Sequence, residues 1–284
     1  MSTETDGMLM QTGFVAHDGE RIYYETVGAR SAPVVVFTHG MGGNHMIWYQ
    51  QVAYFAPFCR VITWDQRGFG RSTNLTGNAS PQAAAADLAA LLEHLDAGHA
   101  HVVGQSLGGW ASLGFALRHP QRVRSLVLAD SIAGIHSPRI EREFRDYSAR
   151  VDAAAVEAEA AAAGALKAID SHPALERDFG RRDRAKAFLY NQISSVSLAP
   201  PVAALRRQLP NAFWPAAEVA RMQVPTLFIV GERDDIFSPD LIREAASQVT
   251  GALVREIPSA GHSPYFEAPD PWNEVVHGFI SEHG

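Results

Sequence analysis

What most constrains this chain is a set of short, unbroken apolar runs that alternate with helical stretches. Runs rich in Val, Ile and Leu stand at residues 34–38, 60–64, 100–103, 125–129 and 226–230. They are too short for buried helices and too continuous for strands with one wet face, so they read as parallel strands buried on both sides. Residues 21–26 read as an earlier strand and 253–257 as a later one. Helical patterns lie at 81–95, 106–118, 240–249 and 272–281, the first with Pro81 early in its opening turn. Strand followed repeatedly by helix predicts an α/β fold on a doubly wound, mostly parallel sheet.

The rhythm fails between residues 133 and 220. Charged and Ala-rich helical patterns replace strands there, punctuated by His172-Pro173 and Ala199-Pro200-Pro201. Structureless loops of such length are rare in compact domains, and Ala is the best helix former. The expectation is a sheet core of residues 1–132 and 221–284, interrupted by a helical insertion at 133–220 that includes the Ala-rich 153–163. No internal repeat is visible.

Composition removes several function classes. With 284 residues, 46% of them hydrophobic, the chain can bury a sizeable core. A net charge of −7 without any block of Lys or Arg leaves no footprint for nucleic acid or an anionic membrane. No apolar run approaches the roughly 20 residues that cross a bilayer. The stretch MSTETDGMLMQTGF lacks the basic and apolar regions of a secretory signal. Cys59 is the only cysteine, so no internal disulfide forms and a reducing cytoplasm is the expected location. A small molecule is the expected partner, and a homo-oligomer stays open.

The chemistry concentrates in loops that follow the strands. Gly104-Gln105-Ser106-Leu107-Gly108 comes after the run at 100–103 and opens a helical pattern, the strand–turn–helix setting that a G-x-S-x-G nucleophile elbow requires. In that strained turn, side chains at the flanking positions would collide with backbone. The helix N-terminus offers free N–H groups to developing negative charge. His39-Gly40-Met41-Gly42-Gly43 follows the strand at 34–38, and the N–H groups of Met41 and Leu107 would form an oxyanion hole. His39 is a base by type but a loop brace by position. His262, in Ser259-Ala260-Gly261-His262-Ser263, is the expected general base. Asp234, in Gly231-Glu232-Arg233-Asp234-Asp235, is the expected acid, where a carboxylate fixes the imidazole tautomer and stabilises imidazolium. Asp235 beside it and Asp130 at the end of 125–129 are the rival acids.

With these motifs assembled, the chain resembles α/β-hydrolase-fold enzymes of the group holding carboxylesterases, enol-lactonases, cofactor-free haloperoxidases and carbon–carbon bond hydrolases. The resemblance runs from about Phe14 to Phe279 outside the insertion. It rests on His39-Gly40, on Trp64-Asp65-Gln66-Arg67-Gly68-Phe69-Gly70-Arg71-Ser72, on the elbow, on Gly231–Asp234 and on Gly261-His262. It implies that the insertion is a helical cap over the site and that Asp65–Ser72 is a structural loop beside the oxyanion hole. The acid of this group usually stands three residues after the glycine, which selects Asp234; the proline after it comes one residue late, at Pro239.

The expected reaction is therefore hydrolysis of a carboxylic ester or lactone through an acyl-enzyme on Ser106, with no metal, nucleotide or redox cofactor. Carbon–carbon bond hydrolysis, perhydrolysis and a non-catalytic ligand receptor are the alternatives. His94, His99 and His101 crowd together without a fitting third zinc ligand, so they read as solvated. Gly68-Phe69-Gly70 lacks the third glycine of a dinucleotide fingerprint. Arg181, Arg182, Arg184, Arg206 and Arg207 read as a charged cap surface. The expected substrate pocket is apolar and lined by Phe188, Tyr190, Phe213 and Trp214 of the insertion, with Trp48 and Trp110 from the core.

Overall fold

The computed structural model describes residues 9–161, 169–196, 205 and 208–284. Its centre is one eight-stranded sheet made of β1 (Met10–His17), β2 (Glu20–Val27), β3 (Val34–Thr38), β4 (Arg60–Trp64), β5 (Ala100–Gln105), β6 (Val123–Ala129), β7 (Thr226–Gly231) and β8 (Leu253–Ile257). The spatial order is β1-β2-β4-β3-β5-β6-β7-β8. β1, β2 and β4 pair antiparallel, and every pair from β4/β3 to β7/β8 is parallel.

The unbroken apolar runs follow from burial on both faces. Val34 and Val36 of β3 enter one core, whereas Val35 and Phe37 enter the other. Leu126 and Leu128 of β6 alternate in the same way with Val127 and Ala129. The first core is covered by α2 (Pro81–His94), α3 (Leu107–Arg118) and α8 (Pro239–Ser247), and the second by α1 (Tyr49–Phe55) and α10 (Pro269–Ser281). Two of these helices start as their sequences dictate. Ser80 and Ser238 each accept a first-turn N–H, from Ala83 and Leu241, and proline follows each cap.

β1 and α1 were not expected. β1 is an edge strand with only Val15 buried, so its sequence carries no apolar run. α1 is short and buries Gln51 and Phe55 alone.

Between β6 and β7 the described residues form α4 (Pro138–Ala161), α5 (Phe179–Arg182), α6 (Arg184–Val196) and α7 (Ala216–Arg221), with one isolated parallel bridge between Ile135 and Trp214. The Ala-rich helix reaches Ala161; residues 162 and 163, Ala199-Pro200-Pro201, Arg206 and Arg207 lie outside the described residues. Among the described residues no helix is long and apolar enough to cross a membrane.

Candidate active site

Because β3 to β8 run parallel, their carboxyl ends bring the chemically interesting loops to one edge of the sheet. Ser106 stands between β5 and α3 at φ 50°, in the left-handed region that costs a non-glycine residue about 1–3 kcal/mol. The surroundings hold it there. Its N–H donates to Ala129 O at 2.9 Å, and its carbonyl accepts from Ser131 Oγ at 2.6 Å. Gly108 must be glycine, since a Cβ there would run into the carbonyl oxygen of Thr38.

His262 and Asp234 meet as their positions in the sequence suggest. Asp234 Oδ2 lies 2.8 Å from His262 Nδ1, and both residues are buried. Asp234 Oδ1 accepts the N–H groups of Ile236 at 2.7 Å and Phe237 at 3.0 Å, so the carboxylate cannot rotate away. A carboxylate accepts, so Nδ1 carries the proton and Nε2 keeps its lone pair. Ser106, Leu107, Met41 and His262 line one cavity of about 640 Å³, within the usual range for small-molecule sites. The N–H groups of Met41 and Leu107 find no acceptor among the described residues.

The rival acids are placed differently. Asp235 is exposed and bonds Arg177 at 2.8 Å. Asp130 is fully buried directly beside the pair: one donor atom each from Asp130, Asp234 and His262 lie within 4.8 Å of one another. Its Oδ1 accepts Gly231 N–H at 2.9 Å and its Oδ2 has no partner. Burial, and then the charge of Asp234, push its carboxyl well above the ordinary range. Asp130 therefore holds its proton more tightly than an ordinary carboxyl.

Supports that carried no sequence signal hold the histidine loop. Gln105 Nε2 donates to His262 O at 2.9 Å, tying the loop to the elbow. Glu267, at the end of the short helix α9 (Pro264–Glu267), accepts N–H groups on both sides of His262, from Gly261 at 3.1 Å and Ser263 at 3.3 Å. Its other oxygen accepts from Glu176 N at 3.0 Å, joining the loop to the insertion. Burial raises the Glu267 carboxyl despite these donors. Gly231 permits close contact between the Asp234 and His262 loops, because a Cβ there would meet the carbonyl oxygen of Gly261.

His39 is a brace. Its Nδ1 donates to Gly40 O at 2.8 Å, its Nε2 accepts Gln66 N–H at 3.0 Å, and burial lowers its pKa. Asp65 ties its own loop together through the N–H groups of His45 and Arg71, while Arg67 forms a paired bond to buried Asp87 at 2.7 Å. His94 and His101 do not converge, bonding Tyr24 and Ser125 instead, and His101 is buried within β5 rather than solvated.

Of the expected pocket aromatics, Trp110 and Tyr190 line the cavity, with Phe144, Tyr147 and Phe237 beside them. Tyr190 also bonds Ser263 Oγ at 2.9 Å. The other four do not line it. Trp48 is fully buried among Phe37, Tyr265 and Trp272, because its short helical turn packs inward under α10. Phe188 lies 43% exposed on the outer face of α6. Phe213 backs the wall by packing against Trp110, and Trp214 is wedged on Gly114 with Arg118 over its ring.

Comparison with known proteins agrees with this architecture. A family model described as alpha/beta hydrolase fold matches residues 33–269. A protein of Caulobacter sp. strain K31 with the provisional name carbamate hydrolase RutD is 29% identical over 96% of this chain and 98% of its own. A Mycobacterium tuberculosis protein provisionally named non-heme bromoperoxidase BpoC is 30% identical over 87% of this chain and 93% of its own. Among solved structures, a thermophilic esterase from Thermogutta terrifontis superposes with a TM-score of 0.76 at 26% identity, covering 96% of this chain and all (100%) of that one.

Proposed function

We propose, for a chain that belongs to the α/β-hydrolase fold family, that it hydrolyses a carboxylic ester or lactone of a small, largely apolar molecule through an acyl-enzyme on Ser106. One observation carries the reading: Ser106, in its strained elbow, and His262, locked by Asp234, share a cavity with two backbone N–H groups that have no other acceptor. An esterase among the structural neighbours is in keeping with it.

In the proposed mechanism His262 Nε2 takes the Ser106 Oγ proton as the oxygen attacks the scissile carbonyl. Asp234 accepts from Nδ1 throughout and stabilises the imidazolium. The N–H groups of Met41 and Leu107 hold the oxyanion. Imidazolium then protonates the leaving oxygen, and water repeats the sequence to release the acid. Apolar walls from Trp110, Phe144 and Phe237 favour an apolar acyl or ring portion.

The test is labelling by a fluorophosphonate probe alongside turnover of a panel of esters and lactones with product identification. Ser106→Ala is expected to abolish labelling and lower kcat by a factor of about 10⁴ to 10⁶ with the fold intact. Undiminished turnover in that variant would overturn the proposal. The likeness to the protein named bromoperoxidase favours a second reading on the same site. Hydrogen peroxide would then replace water at the acyl-enzyme and leave as a peracid, so peracid release from a carboxylic acid and peroxide detects it.

A further inference from the structure

We infer that Arg150 makes this cavity select acyl compounds bearing a carboxylate remote from the scissile bond, an inference that rests on the hydrolase reading above. The inner stripe of α4 presents Phe144, Tyr147, Arg150 and Val151 to the cavity, at the three- and four-residue spacings that share one helix face. Among the described residues Arg150 is the only guanidinium in that lining.

Several neighbouring arginines already have acidic partners. Arg139, Arg145, Arg177, Arg181 and Arg182 of the insertion are engaged by Glu143, Glu141, Asp235, Asp178 and Glu176. Arg150 has no acid within ion-pair reach among the described residues, although Asp146 stands one turn before it. The other titratable groups in the lining do not compete. Asp235 is engaged by Arg177. His172 accepts Ala174 N–H on Nδ1 at 3.1 Å, and burial followed by the nearby His262 holds its pKa down to about 4, so it is a neutral ring at physiological pH. Among the described lining residues Arg150 is therefore the permanent cation, beside the apolar Phe144, Val151 and Phe237.

A guanidinium in that position fits a carboxylate through two parallel hydrogen bonds. Arg150 is exposed at the cavity's edge, so the attraction is screened by water and rests on the fit of the two bonds. An aliphatic chain would lie along Phe144 and Val151, its carboxylate at Arg150 and its acyl carbon at Ser106. Such a contact is made equally in the bound substrate and the transition state, so its loss is read in KM.

The experiment compares wild type, Arg150→Gln and Arg150→Lys on matched 4-nitrophenyl esters. Half-esters of glutaric, adipic and suberic acid carry the free carboxylate at three reaches; pentanoate, hexanoate and octanoate are their neutral partners. Wild type is expected to prefer the half-ester of at least one length. Arg150→Gln should lower that preference about 10- to 100-fold, mainly through KM, and leave the neutral ester within about threefold. Arg150→Lys should keep part of the preference. An unchanged preference at all three lengths overturns the inference while leaving the hydrolase reading intact.

Calorimetric binding of 4-phenylbutyrate and 4-phenylbutan-1-ol provides an arm that needs no turnover. Tighter binding of the acid by wild type, lost in Arg150→Gln, supports the carboxylate site even if no ester is cleaved. Equal binding of both compounds by wild type overturns it.

Discussion

The sharpest prediction concerns Asp130, the buried acid beside the Asp234–His262 pair. Its Oδ2 has no partner, its Oδ1 accepts one N–H, and burial and the Asp234 charge raise its pKa well above 3.8. The folded protein therefore keeps a proton that the unfolded chain sheds above about pH 4. From there up to the folded pKa, folding takes up one proton at this site, so its contribution to stability falls by about 1.4 kcal/mol per pH unit. Asparagine mimics the protonated acid, its oxygen still accepting from Gly231. It holds no titrating proton. The stability of Asp130→Asn relative to wild type is thus expected to rise with pH across that window. Urea unfolding followed by tryptophan fluorescence at several pH values measures it. An offset that stays flat with pH would mean that Asp130 is ionised in the folded protein, and the reading of the cluster would fail. The same variant should keep kcat within about tenfold, because Asp234 alone bonds the imidazole.

Asp234→Asn should lower kcat by roughly 10³ to 10⁴ through the wrong tautomer, whereas Asp235→Asn, at an exposed acid paired with Arg177, should change it little; the reverse ranking would transfer the acid's role to Asp235. Met41→Pro removes a proposed oxyanion donor and should cost about 10² to 10³ in kcat, against a small effect of Met41→Ala, with a crystal structure of the proline variant to check the loop. Trp48→Ala should reduce stability by about 3–5 kcal/mol and depress all substrates alike, since the ring packs in the core; a substrate-selective loss without lowered Tm would return Trp48 to the pocket. Glu267→Gln leaves one oxygen where a carboxylate serves three backbone N–H groups, so kcat and Tm are both expected to fall; unchanged kinetics would make Glu267 a bystander to the His262 loop.

What could be read in the sequence divides according to how local the physics is. Burial on two faces imprints itself on consecutive residues, so β3, β4, β6 and β7 were legible as apolar runs, while β1, with a single buried side chain, left no such mark. The elbow was legible because its strain and its glycines act within five neighbouring positions. The placement of Asp234 against His262 spans 28 positions, yet it too was legible, because each residue follows its own parallel strand. Aromatic rings gave a poorer guide. A tryptophan is apolar whether it lines a cavity or fills a core, and only the packing of Trp48 on Phe37, Tyr265 and Trp272 tells the two apart.

The supporting groups were hidden for a stronger reason. Gln105 reaches His262 across 157 positions, and Glu267 reaches Glu176 across 91. Neither residue differs by type from a solvated surface polar group, so only the fold reveals that its partners are backbone atoms of the catalytic loop. Burial also changes the meaning of Asp130. In the sequence it competes with Asp234 as an equal carboxylate at a strand end. In the fold, two buried acids at such close range cannot both be ionised cheaply. Asp234 has two backbone donors and an imidazole to stabilise its charge, whereas Asp130 has the single N–H of Gly231. That difference in donors favours the proton on Asp130, and it makes the acid that holds the imidazole a property of the hydrogen-bond network rather than of the residue type.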